Sequence, residues 1–101
     1  MLYAAYKTAE GVNASRIFDT WPEYHAATFS PETEVKTLIP FEVRGSTYQE
    51  RKSSVEQTAQ RFQTEEAPGL TWGELAAVCD WFSEQGRKYG LLRDFYDNGI
   101  I

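Results

Sequence analysis

Cysteine and histidine are nearly absent from this sequence. Its 101 residues include one cysteine, Cys79, and one histidine, His25. A single cysteine excludes an internal disulfide and a zinc site built from several cysteines, so packing must stabilise the fold. We therefore expect no bound metal and no cofactor.

Long apolar runs are absent as well. No stretch approaches the roughly 20 apolar residues that a membrane span requires, and the first residues lack the charged-then-apolar pattern of a signal peptide. These absences predict a cytoplasmic protein with no membrane partner.

Aromatic residues, in contrast, are plentiful. The chain has three Trp, six Tyr and six Phe, and its 42% hydrophobic and 25% charged residues are ordinary values for a globular protein. A chain of this length has room for one hydrophobic core. We expect a single domain over residues 1–101.

Charge is unevenly distributed along the chain. The net charge is −5, but residues 35–63 carry five basic and three acidic groups. An acidic protein is a poor general ligand for nucleic acid, because affinity for phosphates depends on lysine and arginine. The middle third could still face an anion, although basic side chains that are solvated or paired with acidic neighbours are the commoner arrangement. These basic residues are Lys36, Arg44, Arg51, Lys52 and Arg61.

The first half of the chain is typical of a small sheet. Residues 2–18 contain two alternating segments around a Gly/Asn turn, which predicts a β-hairpin. A Thr-x-x-Glu capping box starts a short helix over 21–28. Residues 35–44 are the next strand candidate, and Pro40 within them requires an edge strand or a bulge at that point.

The second half is helical. Apolar spacing predicts helices over 47–63, 72–85 and 91–98, with Gly86 and Gly99 as left-handed stops and Ile100 meeting Phe95 after the last helix. The predicted fold class is α+β. It consists of a three-stranded antiparallel sheet covered by helices, the 47–63 helix among them, with a C-terminal helical pair.

The sequence offers few groups for catalysis. His25 lies among helix residues and is expected to be half-buried, while Cys79 shares a helical face with apolar residues and is expected in the core. The carboxylate pairs Glu65–Glu66 and Asp94–Asp97 have no second cluster to complete a site. We predict that the protein is not an enzyme and has no catalytic residue.

Two tryptophans lie away from the main apolar faces. Trp21 starts a helix, and Trp81 lies opposite the apolar arc of its helix. Each is either an exposed interface anchor or covered by another element, and coverage is the commoner outcome for either one alone.

The residues LYAA at 2–5 and FDTWPE at 18–23, with Phe29, Lys36 and Phe41, resemble the small domain shared by viroplasmins and the N-termini of type 1 ribonucleases H. The resemblance covers about residues 2–62. It implies a three-stranded antiparallel sheet with two helices that binds RNA/DNA hybrids. Trp21 would then stack on a sugar or base, and Lys36 would contact a phosphate.

A second resemblance spans the chain. TYQERK at 47–52, TWGELA at 71–76 and YGLLR at 89–93 look like parts of small uncharacterised proteins of bacterial mobile elements. That resemblance implies an accessory role and assigns no site.

The leading hypothesis is a small acidic accessory protein, a non-catalytic module that binds a protein partner or itself near Trp21 or Trp81. The alternative is weak binding of an RNA/DNA hybrid or single strand, which charge disfavours. Its candidate residues are Trp21, Lys36, Arg44, Arg51 and Lys52.

Overall fold

The computed structural model describes residues 1–65 and 69–101. Contacts divide them into two compact units, one formed by residues 1–41 with 69–71 and the other by residues 42–65 with 72–101. The three-stranded antiparallel sheet and the helices confirm the predicted α+β class. A single domain over the whole chain stays a prediction.

The first unit contains the sheet. Strands β1 (Leu2–Lys7), β2 (Asn13–Phe18) and β3 (Glu34–Pro40) lie in the order β2-β1-β3, and both pairs are antiparallel. The predicted hairpin is present. Its turn is closed by the Thr8 amide, which donates to the Val12 carbonyl at 2.8 Å.

One face of β1 carries the core of this unit. Leu2, Ala4 and Tyr6 alternate along the strand and share a cluster with Phe18 and Tyr24. Helix α1 (Trp21–Ala27) supplies Tyr24, the buried residue of that helix. The predicted cap is confirmed, because the Thr20 hydroxyl accepts from the Glu23 amide at 3.4 Å.

The third strand is shorter than the predicted 35–44. It lies at a sheet edge, as expected, but ends at Pro40, which has no amide to donate to a further ladder. A register shift gives Ala5 and Tyr6 the partners Thr37 and Val35, so the extra residue of the bulge is Lys36 and not Pro40.

Three helices form the second unit: α2 (Tyr48–Gln63), α3 (Trp72–Tyr89) and α4 (Leu92–Asp97). The ring of Phe82 lies 6.2 Å from that of Phe62 on α2 and 5.5 Å from that of Phe95 on α4, measured between centroids. Phe82 therefore joins all three helices through aromatic contacts.

Gly86 does not end α3, contrary to the prediction. The helix runs to Tyr89, and Gly90 is the residue with a left-handed φ of 68°. The Leu91 amide then donates to the Gly86 carbonyl at 2.8 Å, which is the 6→1 hydrogen bond of a Schellman motif. Gly86 instead permits close packing, since a Cβ there would lie 3.1 Å from Leu92 Cδ2.

The predicted stop of the last helix is confirmed. Gly99 has a φ of 73°, its amide donates to the Tyr96 carbonyl at 3.1 Å, and the Ile100 amide donates to the Phe95 carbonyl at 2.8 Å. Both bonds of a Schellman motif are present. They hold the backbone of Ile100 against the end of α4.

Candidate functional site

The reactive side chains have different surroundings. His25 is exposed and not half-buried as predicted, because the short helix α1 turns only Tyr24 into its core. Cys79 is half-buried, with its Sγ 3.7 Å from the Ile100 carbonyl oxygen. Within residues 1–65 and 69–101, no three His, Cys, Asp or Glu side chains are grouped so that they could hold a metal ion.

The two members of the predicted Asp94–Asp97 pair have different contacts. Asp97 lies 3.9 Å from the Arg93 guanidinium, whereas the Asp94 carboxylate has no hydrogen bond or ion pair with another described residue. Glu66, the second member of the other pair, lies outside the described residues.

The predicted nucleic-acid residues divide between the units. Trp21 and Lys36 belong to the first, and the Lys36 ammonium donates to the Asn13 side chain at 3.2 Å. Arg44, Arg51 and Lys52 belong to the second. Arg44 pairs with Glu42 at 2.9 Å, and Arg51 Nε donates to the Gly45 carbonyl at 3.1 Å. Three of the five side chains, those of Lys36, Arg44 and Arg51, are therefore bound to neighbouring groups in their own unit.

A carboxylate also occupies the start of α2. The Thr47 hydroxyl accepts from the Glu50 amide at 3.2 Å, and Glu50 Oε2 accepts from the Ser46 amide at 3.0 Å. The Ser46 amide, helped by smaller contributions from the Ser46 hydroxyl and Thr47, lowers the pKa of Glu50 although desolvation opposes it. A 460 Å³ cavity here is lined by Arg44 and Glu50, so it offers no uncompensated positive charge.

The tryptophans differ in exposure. Trp21 is 40% exposed, with its ring edge-on to Tyr24 at 5.8 Å. Trp81 is half-buried, with its ring edge-on to Phe82 at 5.1 Å. Trp72 is 87% exposed at the start of α3. The structure therefore adds an exposed tryptophan to the two that the sequence analysis singled out.

Trp72 borders a cavity of 380 Å³ in the second unit. We call this cavity the apolar groove. It lies between the end of α2, the first half of α3 and the C-terminal residues. Its lining consists of Phe62, Gln63, Glu65, Trp72, Leu75, Val78, Cys79, Gly99 and Ile100.

A second cavity of 180 Å³ adjoins the groove, because Gln63 and Ile100 line both. We call it the carboxylate cavity. Its floor is apolar, formed by Ala59, Leu91, Phe95 and Ile100, and its polar lining is formed by Glu56, Gln60, Gln63, Asp94 and Asn98. No described lysine or arginine lines either cavity.

The sequence carried one usable signal for this site. Trp72 is the first residue of α3, and a side chain at a helix start has no preceding turn of its own helix to pack on. Its spacing from Leu75 and Cys79 on the same helix is typical of one helical face, but helical periodicity cannot show whether another element reaches that end.

No protein-family model, curated protein or solved structure matches the chain. The two resemblances drawn from its sequence therefore stay predictions. In the described ranges, no helix combines the length and apolar character needed to cross a membrane.

Proposed function

We propose that this protein is a non-catalytic module that binds a protein partner at the apolar groove. The observation that carries the proposal is the position of Trp72, which is 87% exposed at the border of a cavity lined by Phe62, Leu75 and Ile100. Tryptophan is enriched among residues that dominate binding energy, and those residues lie beside pockets.

The energetic argument favours an interface over a purely structural role. A tryptophan buries about 150–250 Å², so at about 25 cal/mol per Å² its removal from water is worth up to about 6 kcal/mol. Within its own unit Trp72 gains little of this, because most of its surface meets solvent. A partner that covers the indole and fills the groove would gain it.

The test selects, from a displayed library of short randomised peptides, those that bind the full-length protein. We expect selected peptides that bind the wild type and lose at least tenfold in affinity for Trp72→Ala. Trp21→Ala is the matched control, since it removes a partly exposed indole from the other unit. Peptides that bind all three proteins equally, or no binding peptides, would refute the groove as the interface.

A further inference from the structure

We propose that the partner segment carries an arginine or lysine, seated in the carboxylate cavity, beside the large apolar side chain that fills the apolar groove. This inference rests on the proposed function, because it specifies the chemistry of the partner at the same surface. It begins from the adjacency of the two cavities.

The wall between the cavities is held by hydrogen bonds. Gln63 Nε2 donates to the Asn98 carbonyl at 2.7 Å, and the Ile100 amide donates to the Phe95 carbonyl at 2.8 Å. Gln63 and Ile100, which line both cavities, are therefore fixed in place. Two neighbouring side chains of one partner segment could enter the two cavities together.

Among the described residues, no counterion pairs with the negative charge of the carboxylate cavity. Neither Glu56 nor Asp94 makes a side-chain hydrogen bond or ion pair with another described residue. Arg93, which directly precedes Asp94 in the sequence, pairs with Asp97 instead. Two carboxylates beside a partly enclosed cavity attract a cation more strongly than carboxylates in open water, because screening is weaker there.

The floor of the cavity favours a side chain over a free ion. Ala59, Leu91 and Phe95, all buried, provide apolar surface in the same cavity as the carboxylates. Lysine and arginine have an aliphatic stem and a charged head, and they place the stem on apolar surface while the head reaches a polar group. Arginine can also donate to a carboxylate through two N–H groups at once.

Size supports the same occupant. At 180 Å³ the cavity is smaller than the roughly 300–1,000 Å³ typical of sites for small-molecule ligands, so it suits one inserted side chain. The apolar groove, at 380 Å³, has room for a larger apolar group. The net charge of −5 further favours a cationic partner by long-range attraction.

The test uses the peptides selected on the full-length protein as its probe. We expect them to share a basic residue close to a large apolar one. Glu56→Gln should weaken their binding about tenfold, the effect of losing one charge-assisted hydrogen bond. Asp80→Asn is the control, because it removes the charge of an exposed α3 carboxylate that lines neither cavity, and it should leave affinity unchanged.

A change on the peptide separates binding from folding. In a peptide whose basic residue is arginine, replacing it with citrulline, which is neutral and nearly the same shape, should weaken binding to the wild type about tenfold and to Glu56→Gln far less. The loss measured on the wild type uses no protein variant, so it cannot come from a destabilised protein. Asp94→Asn provides a second protein-side measurement.

Three outcomes would overturn the inference. If the selected peptides need Trp72 but bind Glu56→Gln and the wild type equally, the partner has no basic residue in the carboxylate cavity, and the proposed function still holds. If no selected peptide depends on Trp72, both the inference and the proposed function are wrong. Self-association that Glu56→Gln abolishes, measured by sedimentation, would make the occupant a second copy of this chain.

Discussion

The side-chain amide of Gln63 donates to the backbone carbonyl of Asn98 at 2.7 Å, which joins the last residue of α2 to the C-cap of α4. The bond links residues that are 35 positions apart, and the Schellman motif around Gly99 positions its acceptor. The wall between the apolar groove and the carboxylate cavity depends on this contact.

Gln63→Ala should lower the free energy of unfolding by about 1 kcal/mol, because the Asn98 carbonyl loses its side-chain donor. Urea denaturation measures the change. Gln57→Ala is a matched control, since Gln57 lies on the same helix and makes no hydrogen bond through its side chain to any described residue. Equal unfolding midpoints for the two variants would show that the bond contributes nothing.

Gly86→Ala should destabilise the protein by about 1–3 kcal/mol, although alanine is the better helix former. The added Cβ would lie 3.1 Å from Leu92 Cδ2 and 3.3 Å from the Leu92 amide nitrogen. In a Leu92→Ala background the loss should be smaller, because one of these contacts is gone. A Gly86→Ala protein that is as stable as the wild type would contradict the close approach of α4.

Glu50 should make the stability of the protein depend on pH. The Ser46 amide lowers the pKa of the folded Glu50 carboxyl, so its contribution is complete above the unfolded pKa and is lost as pH falls through the folded pKa. We expect wild type and Glu50→Gln to differ in unfolding free energy at neutral pH and to converge in acid. A difference that is the same at every pH would rule out this titration.

We predict no measurable binding to RNA/DNA hybrid, duplex or single-stranded nucleic acid at about 50 mM salt, where electrostatic binding is strong. The net charge of −5 opposes it, and Arg44 is paired with Glu42. A fluorescence-anisotropy titration measures this. Binding that both Trp21→Ala and Lys36→Ala abolish would establish the alternative function instead.

Local sequence signals predicted most of the elements because their determinants are local. The cap at Thr20 and the stop at Gly99 each act within one helical turn. Pro40 marked an edge strand correctly, but its missing donor also ended the strand there. The bulge at Lys36 depends on the partner strand, so the sequence did not locate it.

The choice between two glycines illustrates what local signals cannot decide. Gly86 and Gly90 both follow the apolar pattern of α3 closely enough to end the helix. The structure uses Gly90 for the left-handed turn and Gly86 for contact with Leu92. Which glycine takes which role depends on where α4 packs, and helical periodicity carries no information about that packing.

The candidate site was missed for the same reason. On α2, the spacing of Glu56, Gln60 and Gln63 places them on one side of a helix, but the cavity exists only because α4 and Ile100 lie opposite them. The exposure of Trp72 likewise depends on which element reaches the first turn of α3. Contacts distant in sequence therefore determine the surface to which we assign binding.

The most direct measurement is a titration of ¹⁵N-labelled protein with a selected peptide, followed through the indole N–H resonances of its three tryptophans. We predict that the Trp72 indole and the Ile100 backbone amide shift on binding and that the Trp21 indole does not. Shifts at Trp21 with Trp72 and Ile100 unchanged would contradict binding at the apolar groove.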